Sequence, residues 1–449
     1  MRFKKPIYFI FTALFLSGCS NPITESSRER GRLNSDHYYD VIFGYELNAD
    51  RSGYVLKNVH TNCYYGTVTV PEFYQGLPVV EIGTEAFRNC DHLSEIKLPN
   101  SIKSIGEYSF AYCASLTSFV IPNNVTFIGN GAFSDCSNLK SLTLGSGVQT
   151  IEHYNFVYHC KRLVNINVKE DNPYFYSEEG LLYTYEDNAL YATSPGLPGD
   201  LAIKQGTKRI RIGAFYALDS ITSVTIPSSV ETIDVDAFMG FSSLKSISVA
   251  AANQYFASVD GVLYNKAVSE LIAFPCGKRA STFTVPNTVK KIGRYSFAFA
   301  TGISEVILPE GLEYISDGVF NHTSYLRKIN IPKSLLDIGD YVFCSLFNLE
   351  FLNLSSNITV IKPHLFIDCH ALTSLVLPKS LQLIHKAAFQ DCYYLSDIYY
   401  EGTKEEYDSI TMQSMNEYFD RATINYYSET EPSETGNYWH YVDNEPVNW

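Results

Sequence analysis

The segment LSEIKLPNSIKSIGEYSFAYC, residues 93–113, decides the fold because the chain keeps returning to it. Its Phe110 belongs to a series at 87, 110, 133, 156, 215, 238, 297, 320, 343, 366 and 389. Eight of the ten intervals are 23 residues and the other two are both 59, which is one period plus 36. An Ile stands five residues before every one of these Phe, from Ile82 to Ile384. Leu or Ile follows six residues after the Phe in ten copies, with Leu163 displaced by one. A fixed period of this length means stacked coils, each burying its apolar residues only against the coils on either side.

Within a coil, Leu93-x-x-Ile96-x-Leu98 reads as a short strand, and Pro99 ends it because proline has no N–H to give a ladder. Ile105-Gly106 then turns the chain. The Ser109-Phe110-x-x-Cys113 stretch reads as a short helical turn with Phe pointing inward. Stacked Phe would form an aromatic spine, which is core packing. At about 4.8 Å per strand, roughly thirteen coils predict a rod on the order of 60 Å long.

The 36-residue extras are themselves repeated. Asn172-x-Tyr174-Phe175-x-Ser177-x-Glu179-Gly180-x-Leu182-Tyr183 matches Asn253-x-Tyr255-Phe256-x-Ser258-x-Asp260-Gly261-x-Leu263-Tyr264. An acidic-Gly pair between apolar runs is a hairpin signal. Each extra is expected to be an elongated coil carrying a β-hairpin, either as a binding protrusion or as a structural variant.

The 23-residue unit, with Leu-Pro-x-Ser and Ile-Gly-x-x-Ala-Phe-x-x-Cys, resembles the BspA-like leucine-rich repeat surface proteins. The resemblance covers about residues 79–400. It implies a strand-rich α/β fold: a right-handed leucine-rich repeat solenoid of short parallel strands and short helical turns, with β caps and hairpin insertions. It also implies export and a binding or adhesive role toward an extracellular or envelope protein, or a glycan, but it names no ligand.

The N-terminus fits that expectation. Arg2, Lys4 and Lys5 precede an apolar run, Ile7 to Leu16, too short to span a bilayer. Leu16-Ser17-Gly18-Cys19 resembles a bacterial lipobox, so residues 1–18 read as a lipoprotein signal peptide and Cys19 as the lipidated N-terminus. Losing three cations takes the formal charge from −14 to −17. Polar residues 19–40 read as a tether. The protein is expected to be exported, held to the cell membrane by lipid and displayed at the surface.

Solenoids need capped ends. Residues 41–78, rich in β-formers, read as an N-terminal β cap. Asn48, Asp50 and Ser52 lack the later ligands of a calcium loop, so they read as a turn. Residues 401–449 read as a C-terminal cap. Thr403-Lys404-Glu405-Glu406 is a capping box opening a helix over about 403–416. Beyond it lies an aromatic hairpin holding Trp439 and Trp449.

Cys90, Cys113, Cys136, Cys369 and Cys392 share one position, three residues after the repeat Phe. Leu218, Phe241, Ala300 and Leu346 fill that slot elsewhere, so the thiols are expected to be reduced, buried fillers. No C-x-x-C pair suggests zinc, and no metal or other cofactor is expected. No catalytic motif is present, so no enzyme is expected. The acidic balance argues against nucleic acid.

The outward positions of the strands are mostly Ser, Thr, Asn and Lys. Ile307, Arg327, Phe351, Val376 and Tyr399 differ, adding apolar and aromatic groups and an Arg of the kind found at interface hot spots. They are the expected partner patch. A uniform polar face would instead suit a structural or assembly component of the envelope.

Overall fold

A computed structural model describes residues 28–31, 41–60, 66–152, 156–216, 218–354 and 357–449. The signal peptide and Cys19 lie outside the described residues. The chain forms a parallel β-solenoid of about sixteen turns with almost no helix. The Phe series alone misses turns at both ends. Tyr54–His60 and Gly66–Thr69 already pair with later coils, and Thr411–Met412 and Thr423–Tyr427 extend the ladders beyond the last repeat.

The Leu-x-x-Ile-x-Leu segments form the first ladder; for example Ser141↔Ser118 and Ser141↔Asn165 are in parallel register. Where a Pro follows the strand it closes a tight turn, with Val125 N–H donating to Pro122 O and Leu312 N–H to Pro309 O. That turn drives the next apolar residue inward, and Val125 and Leu312 are fully buried.

The Ile-Gly pair does more than turn the chain. Ser104–Ile105, Phe127–Ile128 and Thr150–Ile151 form a second parallel ladder, with Ile82, Ile105, Ile128 and Ile151 in register. The glycine that follows answers to the closeness of the coils. A Cβ on Gly106 would lie 2.7 Å from Thr84 N, and one on Gly129 would lie 2.6 Å from Glu107 N.

The Phe segment runs as turns rather than helix. Residues two before and two after Phe take positive φ: Tyr108 and Tyr112 around Phe110, Tyr341 and Ser345 around Phe343, His364 and Asp368 around Phe366. This alternation breaks the local bonding a helix needs. It points Phe87 N–H to Ser109 O and Phe110 N–H to Ala132 O, one coil on. All eleven repeat Phe are buried. Neighbouring rings stack at 5.2 Å (Phe87–Phe110), 5.4 Å (Phe110–Phe133) and 5.0 Å (Phe366–Phe389). The spine is longer than the repeat: Phe43, Phe274 and Phe419 join it against Phe87, Phe297 and Phe389.

The two insertions are not protrusions. Each is a three-stranded meander, Phe175–Glu178, Leu181–Thr184 and Ala189–Thr193, then Phe256–Val259, Val262–Asn265 and Glu270–Ala273. Glu179-Gly180 and Asp260-Gly261 have positive φ at both positions, the backbone that a two-residue hairpin demands. The third strand of each re-enters the second ladder, Leu190 beside Ile210 and Leu271 beside Ile292. Alternating side chains face opposite ways along a strand, and both faces are used. Leu182 and Ala192 pack with the apolar cluster before the first meander, and Leu181, Tyr183 and Leu190 with the cluster after it. Leu263 and Val262 divide in the same way at the second. The meanders are partitions between three apolar clusters.

Two segments depart from expectation at the ends. Arg28–Gly31, assigned to the tether, pairs antiparallel with Val41–Leu47. The capping-box helix covers only Lys404–Asp408, because the chain turns at Ser409 to lay Thr411–Met412 beside Leu383–Ile384.

Candidate binding surface

The five residues of the expected patch do not share one open face. Ile307 is 40% exposed and Arg327 is exposed. Phe351 and Tyr399 are half-buried, and Val376 is fully buried. The cover is the chain's own C-terminus. Thr423–Tyr427 adds to the first ladder beside Asp397–Tyr400. Tyr438–Val442 then pairs with it and turns back through Asp443 and Asn444, both at positive φ, into Glu445–Asn448.

Trp439 is the anchor of this hairpin. It is fully buried, donates its indole N–H to Tyr400 O at 3.0 Å, and meets the Tyr399 ring edge-on at 5.5 Å. Tyr441 hydroxyl donates to Glu401 Oε1 at 2.7 Å and accepts from Asn353 Nδ2 at 3.4 Å, so the hairpin reaches back to the coil of Phe351. The apolar character read as an interface is therefore intramolecular at Tyr399, and Val376, in register beside it, is buried. Periodicity identified the outward face but could not show that a segment distant in sequence lies on it.

Ile307 and Arg327 stay open, beside residues the strand motif did not single out. A shallow concavity of about 650 Å³ is lined by Arg279, Ala280, Ser281, Thr301, Gly302, Ile303, Ser304, Tyr325 and Arg327. A second of about 640 Å³ is lined by Lys245, Gly277, Lys278 and Arg279. Arg279 belongs to both. Lys278 and Arg279 sit at the exit of the second meander, and Tyr325 just precedes the strand leucine, so none is a motif position. The signal available in sequence was the recurrence of cations on neighbouring coils.

A smaller cavity of about 210 Å³ lies where the second meander meets the coils, lined by Asp236, Met239, Ile272, Arg294 and Ser296 among others. The first meander has Tyr191 at the place of Ile272, and its hydroxyl donates to Ile151 O at 2.6 Å. Around this cavity Asp236 Oδ1 and Ser296 Oγ are buried without a partner among the described residues. Burial pushes the Asp236 carboxyl up to about 6, against the opposing pull of Arg294.

The thiols do more than fill space. The eight described cysteines are free and buried. Cys113, Cys136, Cys369 and Cys392 each donate to the carbonyl of the preceding coil's Phe, at 2.8–3.2 Å. Thr323 takes the same slot and donates to Phe297 O at 2.8 Å. Burial pushes the Cys392 thiol up to about 12. Among the described residues no group of three or more His, Cys, Asp or Glu could hold a metal ion. At the N-terminal turn, Asp50 accepts from the backbone and hydroxyl of Ser52.

A family model for the BspA type leucine rich repeat region matches six times, over residues 57–178, 198–260 and 272–396. The gaps between these stretches fall in the two meanders. Similar solved structures include a leucine-rich repeat protein of Eubacterium ventriosum, 24% identical over 79% of this chain and 82% of that one, with a TM-score of 0.49. A leucine rich cell surface protein of Faecalibacterium prausnitzii is 22% identical over 85% and 99%, TM-score 0.50. The pneumococcal vaccine antigen PcpA is 21% identical over 87% and 92%, TM-score 0.50. Identities this low speak to the fold alone. No curated protein matches the chain.

Proposed function

The chain belongs to the BspA type leucine-rich repeat family, and from that premise we propose that it is a lipid-anchored recognition module displayed at the bacterial cell surface. It binds an extracellular or envelope macromolecule through the side of the solenoid that carries Ile307 and Arg327, and it does no chemistry on that ligand. The observation carrying this reading is the open concavity at Arg279, Tyr325 and Arg327. Arg and Tyr are the residue types that carry binding energy at interfaces, and here they are exposed where the equivalent face of the last coils is covered. The similar Faecalibacterium prausnitzii structure is that of a leucine rich cell surface protein, which favours display. The lipobox at Leu16–Cys19 supports anchoring.

Two experiments test it. Protease treatment of intact cells releases the protein if it is displayed, and a Cys19→Ala variant is then found unattached to membrane. An immobilised 20–449 fragment captures a partner from matrix proteins or envelope extracts. An Arg279→Ala, Arg327→Ala variant of that fragment loses the partner. No release from intact cells overturns surface display, and capture unaffected by the double variant overturns the assigned face.

A further inference from the structure

We propose that the two concavities that meet at Arg279, reaching from Lys245 to Arg327, form a binding trough for a linear acidic polysaccharide. The proposal deepens the recognition reading above by naming site and ligand class, and it rests on that reading for its biological setting.

The first argument is charge. The chain has 48 Asp and Glu against 34 Lys and Arg, so its cations are outnumbered. Most cations on the neighbouring coils are paired: Lys208 with Glu231, Arg209 with Asp234, Lys290 with Glu313, Lys291 with Glu270, Lys328 with Glu305. Lys245, Arg279 and Arg327 form no ion pair among the described residues, and all three are exposed. Lys278 gives Nζ only to a backbone carbonyl, Asp260 O, at 2.8 Å. Glu305, on the strand beside Ser304, is occupied by Thr282 and Lys328. Four cations are thus collected on an acidic protein with no ion pair among the described residues. Such a row attracts anions and raises their encounter rate.

The second argument is shape. The four cations lie on three of four successive coils, Lys278 and Arg279 sharing one, and the three steps from Lys245 to Arg327 cover roughly 15 Å. The floor between them is Gly277 and Gly302. A Cβ on Gly302 would lie 2.5 Å from Lys278 O, and one on Gly277 would lie 2.6 Å from Ser242 O. Close approach of the coils excludes side chains there, which leaves an open channel with cations along its walls. A linear polymer can lie along such a channel.

The third argument separates a glycan from an acidic protein segment. A protein partner needs an apolar centre to its interface. Here Ile303 is buried, and the trough offers the hydroxyl-bearing Ser281, Thr301 and Ser304 and one ring, Tyr325, 59% exposed. Hydroxyls match sugar hydroxyls, and an exposed ring offers its face to the C–H side of a pyranose. The guanidinium groups of Arg279 and Arg327 pair in two-point fashion with sulfate or carboxylate.

The test is equilibrium binding of the purified protein to dextran sulfate, with neutral dextran and poly-glutamate as comparison polymers. Dextran sulfate is expected to bind, more weakly as salt rises, and dextran not at all. Arg279→Gln with Arg327→Gln is expected to lose about tenfold or more in affinity. Tyr325→Ala is expected to weaken binding with the salt dependence unchanged. A control pair of paired cations, Lys208→Gln with Lys291→Gln, is expected to bind as the parent does. Three results overturn the proposal: binding unchanged in the double Arg variant, equal loss in the control pair, or poly-glutamate binding as tightly and independently of Tyr325. Binding in solution does not depend on display. A parent protein that does not bind dextran sulfate but is released normally from shaved cells rejects the trough alone, and the reverse result rejects display alone.

Discussion

At the residue scale, two buried polar groups show opposite outcomes of the same repeat. In the Cys slot the Phe carbonyl already accepts one backbone N–H, as Phe110 O does from Cys113, and a thiol or hydroxyl of the next coil gives it a second donor. Cys136→Thr keeps a donor to Phe110 O, as Thr323 does for Phe297, whereas Cys136→Val keeps the shape and loses the donor. The valine variant should be less stable by about 1 kcal/mol in denaturant unfolding. Asp236 is the unsatisfied case. Its carboxyl is raised to about 6, so the folded state favours the protonated form. The stability that protonation supplies is present below the ordinary carboxylate range and is lost as pH rises through about 6. Asp236→Asn should therefore raise the thermal midpoint at pH 7.5, with the gap closing toward pH 4. Asn tolerates the positive φ of this position. A gap independent of pH would show that the carboxyl is not the cause.

At the element scale, the meanders are held by one residue each. Asn253 is fully buried. Its Nδ2 donates to Pro227 O and Val230 O, and its Oδ1 accepts from Tyr255 and Phe256 N–H. Asn172 repeats all four bonds at the first meander. Asn253→Ala removes all four bonds, leaves Tyr255 and Phe256 N–H without their side-chain acceptor while Pro227 O keeps Val230 N–H, and should cost roughly 3 kcal/mol or more, measured by chemical denaturation. The coil itself was legible because Leu, Ile and Phe recur at fixed spacing, and the hairpins because Glu179-Gly180 and Asp260-Gly261 mark the turn. The second ladder was not, because two-residue strands such as Ser104–Ile105 have no alternation to read. The Phe segment was misread as helical because non-glycine residues like Tyr108 and His364 conceal their positive φ. Phe274 lies 23 residues before Phe297 but lacks the Ile five residues earlier, so its place in the spine was hidden. Of the candidate patch, Ile307 and Arg327 lie on an open face as their alternation implied, whereas the cover over Val376 came from 60 residues away in sequence.

At the scale of the whole molecule, each coil is stabilised only by its neighbours, so the last coil depends on what covers it. That cover is the hairpin of Trp439 and Tyr441. It buries Trp439 fully, holds Tyr399, and bonds to Tyr400, Glu401 and Asn353. Trp439→Ala removes a large buried ring and its hydrogen bond, at a local cost of about 3–5 kcal/mol. In a nearly one-dimensional fold that cost should not spread evenly. The meander Val262–Asn265 partitions the apolar cluster of the last coils from the one before it. Amide exchange should therefore quicken in the strands Phe351–Asn353, Ser374–Leu377 and Asp397–Tyr400, while Ser118–Val120 and Ser141–Leu144 keep their protection. The same variant should bind an apolar dye, since Val376 and Tyr399 would face water. It should leave polymer binding at Arg279 and Arg327 intact, because that trough lies on coils before the covered face. Uniform loss of protection along the chain would show instead that the solenoid unfolds as one cooperative unit across its partitions.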